Sequence, residues 1–161
     1  MTVTSVEKDL DSCTLTVTAE FTAPIEKVWE LWANPRKLEK WWGPPTYPAT
    51  VTEHDFSPGG DVAYHMTGPE GDKIPGRWRI TEVDRPTSLE FVDSFADQEG
   101  QEVESLPQSA TRVNFEEHNG VTYMQMVSSY DTREQLEQIV AMGAMEGIKQ
   151  AMGQMDALLD E

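Results

Sequence analysis

The chain has 161 residues, 38% hydrophobic and 25% charged, with a net charge of −17 and one cysteine, Cys13. This length suits a single domain over residues 1–161, with a core that needs neither an internal disulfide nor a metal, and the excess of acid argues against nucleic acid as a partner. No segment approaches the roughly 20 apolar residues of a membrane span, and the start lacks a signal peptide's basic and apolar runs, so a soluble cytoplasmic protein without membrane insertion is expected.

Taken in order, Thr14 to Phe21 alternates strictly, with Leu15, Val17, Ala19 and Phe21 on one side, and predicts a half-buried strand. Thr22 is placed to cap a short helix whose first turn suits Pro24 and whose buried side carries Ile25, Val28, Trp29 and Trp32. Asn34 and Pro35 interrupt it, and Arg36 to Trp42 predicts a second short helix that Gly43, Pro44 and Pro45 stop. From Ala49 the chain becomes a run of strands bounded by turn residues: Ala49 to Phe56, Asp61 to Thr67, Arg77 to Val83 and Ser88 to Phe95. Ala96 to Ala110 is acidic and too polar for a core, which predicts an exposed loop, either a passive connection or a lid. A last pair, Thr111 to His118 and Val121 to Tyr130, is joined by Asn119-Gly120, a strong hairpin signal.

Tyr130 to Glu161 predicts one long helix, with Asp131 as its cap and Glu134 completing a capping-box pattern. Ala141, Met145, Ile148, Met152, Met155 and Leu159 fall on one face, widened by Ala144, Ala151 and Leu158. Gly143, Gly147 and Gly153 weaken the helix, so tertiary contacts must support it, and they predict close approach or open space along it. Gly143 and Gly147 are expected to face the sheet or a cavity, which leaves the oligomeric state open.

These residues resemble a known family. The stretch FTAPIEKVWELWANPRKLEKWWGP, Phe21 to Pro44, is similar to the signature of the branch of the START-like, helix-grip superfamily named after the activator of Hsp90 ATPase. SPGG before the third strand, GPEG after it and the closing VAMGAMEGIKQAMGQMDALL match as well. The resemblance implies an α+β fold: a curved antiparallel sheet gripping a long C-terminal helix, two short helices after the first strand, and often a cavity between sheet and helix.

Alternation places Tyr64 and Met66, Trp78 and Ile80, Leu89 and Phe91, and Met124 and Met126 on the face toward the helix. With Met142 and Met145 opposite, they predict either an adaptable wall around an apolar or aromatic ligand or a packed core filled by methionine. The ligand-binding set expected from this is Trp41, Tyr64, Met66, Trp78, Phe91, Met124, Met126, Met142 and Met145, with few charges pointing inward and Tyr64 as the polar handle. His54, His65 and His118 lack metal-ligand spacing, and neither a nucleophile motif nor a phosphate or dinucleotide fingerprint occurs; no metal, no cofactor and no dedicated catalytic residue are therefore expected. Three roles follow: a small-ligand binder or carrier as the main expectation; a co-chaperone-like protein partner of an Hsp90-type ATPase; and a cavity enzyme of the polyketide cyclase type, drawing on His65, Arg79, Glu90 or Asp93.

Overall fold

The computed structural model describes residues 3–160. Eight strands form one antiparallel sheet: β1 (Val3–Asp9), β2 (Thr14–Phe21), β3 (Ala49–His54), β4 (Asp61–Thr67), β5 (Lys73–Asp84), β6 (Ser88–Phe95), β7 (Ser109–His118) and β8 (Val121–Ser129). Their order is β1-β2-β8-β7-β6-β5-β4-β3, so β3 to β7 form a meander and β2 lies beside β8. Helices α1 (Ile25–Ala33) and α2 (Pro35–Trp41) follow β2, and α3 (Arg133–Ala141), α4 (Ala144–Met152) and α5 (Met155–Leu159) follow β8. This is the helix-grip α+β arrangement expected, with a curved sheet.

Local chemistry explains most boundaries. Asn119 and Gly120 both take positive φ, 53° and 80°, which is the geometry a two-residue turn needs to match the twist of β7 and β8. Asn34 caps α2 by accepting the Arg36 amide at 2.9 Å, with Pro35 in the first turn. Two caps differ from expectation. Thr22 does not cap α1; the Glu117 carboxylate on β7 accepts the Ile25 amide at 2.6 Å instead. At α3 the cap is Thr132 rather than Asp131: its hydroxyl accepts the Gln135 amide at 3.1 Å, and the Gln135 side chain accepts the Asp131 amide at 3.2 Å.

Three elements also depart from the sequence reading. The edge strand β1 was not expected, because beyond Val3 its side chains are half-buried or exposed and it is held by backbone pairing to β2. The strand β5 begins at Lys73, ahead of the expected Arg77, and runs through Pro75 and Gly76; Gly76 lies beneath the Tyr64 ring, and a Cβ there would overlap the Tyr64 ring and hydroxyl. The loop after β6 is not wholly exposed: Ala96 pairs with Glu102, and Ala96 and Pro107 are buried.

The largest correction concerns the C-terminal helix, which is three segments rather than one; its expected end at Glu161 lies outside the described residues. Gly143 takes φ 88°, ψ 19°, the left-handed conformation that ends α3 and lets α4 start in a new phase. The buried stripe accordingly runs Leu136, Ile139, then Ala151, Met152 and Met155, while Ala141 is exposed and Met145 half-buried. Space is not the issue at Gly143, where a Cβ would meet nothing within 4 Å. Gly143→Ala is therefore expected to lower stability by about 1–2 kcal/mol through backbone conformation alone. A urea midpoint unchanged by the substitution would show that the break does not depend on glycine.

The core lies between the sheet and the α1–α2 elbow. Trp29 and Trp32 on α1 and Trp41 on α2 are buried, and Trp78 of β5 stacks on Phe91 of β6 at a centroid distance of 4.0 Å. The Trp41 indole donates to the Leu31 carbonyl at 2.8 Å. Among the described residues, no helix is long and apolar enough to cross a membrane.

Candidate functional site

Aromatic packing fills the concave face under α1 and α2, but not under α3 and α4. There a cavity of about 320 Å³ remains, bounded by the inward faces of β4 to β8, the end of α2 and the segment from Ile139 to Met152. Gly143 and Gly147 lie in its wall, as expected, and a Cβ on either would meet nothing within 4 Å. The large apolar side chains Met142 and Ile74, 56% and 43% exposed, belong to the same wall and form an apolar rim.

Of the nine ligand-contact residues read from sequence, the structure brings five into this wall: Trp41, Tyr64, Met66, Met126 and Met142. Trp78, Phe91 and Met124 are buried outside it. Each lies two residues along its strand from a wall residue, Gly76, Asp93 and Met126 respectively, and so occupies the next inward-facing position, within the aromatic core. Met145 is half-buried and also outside the wall, because the new phase of α4 presents Ala144, Gly147, Ile148, Ala151 and Met152 instead.

The wall is less uniformly apolar than expected. Asp93, the next inward-facing position after Phe91 on β6, reaches it and accepts the Tyr64 hydroxyl at 3.0 Å. Burial lifts the Asp93 carboxyl to about 7, and the Tyr64 hydrogen bond offsets only part of that rise. Burial, then the charge of Asp93, pushes the Tyr64 phenol well above its ordinary value and that of Tyr130 to about 12. A strip of buried hydroxyls adjoins the pair: Thr111 lies 3.2 Å from Ser109 and 2.9 Å from Ser128, oxygen to oxygen. The sequence carried a signal for Asp93, since an acid that continues the Leu89, Phe91 alternation must face inward.

The other polar groups considered from sequence lie elsewhere. Arg79 is 3.7 Å from Glu102, Glu90 accepts from Arg112 at 2.6 Å, and His65 is absent from the wall. His54 stacks on Phe56 while His118 contacts Glu116 at 2.8 Å. No group of three potential metal ligands occurs among the described residues. Chemically, the site can enclose an apolar body, present one carboxyl and one phenol to it, and hold a proton on either.

Compared with known proteins, residues 22–160 match the family model described as activator of Hsp90 ATPase homolog 1-like protein. The chain is similar to the crystal structure of protein Ms6760 from Mycobacterium smegmatis, with 50% identity and a TM-score of 0.90 over 98% of this chain and 96% of that one. It is also similar to a solution structure of a protein from Arthrobacter aurescens, with 43% identity and a TM-score of 0.95 over 99% and 92% of the two chains. DynU16, from the dynemicin biosynthetic locus, shares the fold alone, at 17% identity and a TM-score of 0.63 over 89% of this chain and 47% of that one. No curated protein matches.

Proposed function

We propose, since the chain belongs to the family of activator of Hsp90 ATPase homolog 1-like proteins, that it binds a small apolar or aromatic molecule in the space between the sheet and α3–α4. The observation that carries this reading is the cavity itself. It has a rim of exposed apolar side chains, and its walls combine Leu15, Trp41, Met126, Ile148 and Met152 with a short polar strip. A packed core would have closed that volume, because close packing is the norm in protein interiors. Its size is at the low end of small-molecule sites. Removing roughly 200 Å² of apolar ligand surface from water contributes about 5 kcal/mol before the costs of association, enough for a modest affinity. Flexible methionines in the wall favour a ligand recognised by shape and apolarity more than by many hydrogen bonds.

Met126 tests this, because it is buried on β8 and its side chain forms part of the wall. Wild type is expected to take up the neutral fluorophore N-phenyl-1-naphthylamine saturably. Met126→Trp, which fills the space, should weaken uptake at least tenfold and leave the far-ultraviolet circular dichroism unchanged. No uptake by wild type, or full uptake by a folded Met126→Trp, would refute the reading.

A further inference from the structure

We propose that the polar end of the cavity, where Asp93 holds the Tyr64 hydroxyl and Trp42 packs on Tyr64, selects ligands that carry a protonated amine on an apolar or aromatic body. This rests on the cavity being a ligand site, as proposed above, and adds the chemical class of the ligand.

Among the described residues, Asp93 is the only side chain in the wall that carries a charge near neutral pH, and no lysine, arginine or histidine lines the cavity. Its Oδ1 accepts the Tyr64 hydroxyl, the one hydrogen bond it makes among the described residues. A half-buried carboxylate in the cavity wall with no counter-charge beside it is a group that a cationic ligand would complete. An ammonium group supplies both a donor and the counter-charge. A carboxylate ligand would set two negative charges together with no cation between them, and a hydrocarbon would offer the carboxylate no donor.

The aromatic surroundings favour the same class. Trp42 and Tyr64, both in the wall, meet edge to face at 5.9 Å and 81°, which puts two aromatic rings at the same end of the cavity as Asp93, and a cation is attracted to the faces of such rings. The net charge of −17 also raises the concentration of cations around the protein. The raised Asp93 pKa is consistent with a carboxyl that lacks a positive neighbour.

The pH behaviour follows from the groups around Asp93. The neighbouring strands place Trp78 of β5 and Ser109 of β7 opposite it, and neither is charged. The titratable groups near it are Tyr64 and Tyr130, both protonated well past neutral, and the wall residues from Ile139 to Met152 carry no charge. Amine binding should therefore strengthen as Asp93 ionises, and binding of a neutral isostere should not change.

The experiment is displacement of N-phenyl-1-naphthylamine by three compounds of similar size: 2-naphthylmethylamine, 2-ethylnaphthalene and 2-naphthoate. In wild type the amine should bind at least tenfold tighter than the hydrocarbon near neutral pH, and the anion should bind weakest. The amine's affinity should rise several-fold from about pH 6 to about pH 8 while the hydrocarbon's stays level, given titration of one group between those values. Asp93→Asn should remove the amine's advantage over the hydrocarbon. If the fluorophore binds but amine and hydrocarbon compete equally, or a folded Asp93→Asn keeps the preference, the amine inference is wrong and the cavity reading stands. If the fluorophore does not bind at all, both are wrong. The wild-type comparison and its pH dependence need no variant, so poor folding of Asp93→Asn would not shield the inference.

Discussion

Trp32→Ala is expected to destabilise the protein by about 3–5 kcal/mol, the range for truncating a large aromatic side chain in a packed core. Trp32 is 0% exposed and stands where α1 meets the sheet. Its ring lies 4.8 Å from Trp41, 5.9 Å from Trp78, 6.1 Å from Trp42, 6.3 Å from Phe91 and 6.4 Å from Phe115, centroid to centroid. Five other rings thus lose a neighbour at once, and they belong to α2, the residue that follows it, and three strands, so no single element can move to close the gap. Against a typical total of about 5–15 kcal/mol, such a loss brings the domain close to unfolding at growth temperature. Trp32→Phe should cost much less, because it keeps a ring and removes an indole N–H that has no hydrogen-bond partner. Urea unfolding followed by circular dichroism measures both. An alanine variant within about 1 kcal/mol of wild type would mean that the aromatic cluster repacks freely.

Asp93→Asn should act in the opposite direction and only above a certain pH. The Asp93 carboxyl moves from an ordinary value of 3.8 to about 7 on folding, so between those values the folded state binds more protons than the unfolded state. Its contribution to stability is fully present below the unfolded value and is lost as pH rises through the folded one. Asparagine keeps an acceptor for the Tyr64 hydroxyl and cannot ionise. The variant should match wild type near pH 4 and exceed it by about 1–3 kcal/mol above pH 7, less than the full shift implies because water entering the cavity screens the charge. Urea midpoints of both proteins at acidic and mildly alkaline pH give the comparison. Equal stability on the alkaline side would show that the ionised carboxylate is comfortably solvated. A gain there would mean that wild type retains a destabilising charge at this position, which is the pattern expected where a site serves binding rather than folding.

Both predictions turn on how far sequence patterns reach. Alternation along β4, β5, β6 and β8 correctly put Tyr64, Trp78, Phe91 and Met126 on the inward side, because period two is a direct consequence of strand geometry. It could not say which inward positions border open space, since that depends on where the covering helices run out. Trp78, Phe91 and Met124 consequently belong to the core while Met126 borders the cavity. Periodicity also failed at Gly143, where the three-four pattern continues although the backbone turns left-handed; composition alone allows either a weakened helix or a break. The edge strand β1 was illegible for a related reason, because most of its side chains bury little and only its backbone reveals it. Asp93 was noted as a polar group yet not placed in the wall, although the alternation that located Phe91 locates Asp93 too.

The position of β2 between β1 and β8 has a consequence for how the protein is made. Thr14 pairs with Ser129 and Phe21 with Thr122, so one edge of β2 finds its partner only after more than a hundred further residues have been synthesised. Until then the growing chain can form the β1–β2 hairpin and the β3–β7 meander, but no strand pairing joins them. Arrival of β8 bridges the two pieces, and only then can α3 and α4 settle over the sheet. Such distant pairing slows folding, because the entropy of closing a long loop is lost before any contact compensates for it. Throughout that interval the backbone edge of β2 that later pairs with β8 stays open beside the inward-facing Leu15, Val17, Ala19 and Phe21, so a nascent chain stalled before residue 121 has an unpaired apolar strand edge open to chaperones or to other nascent chains.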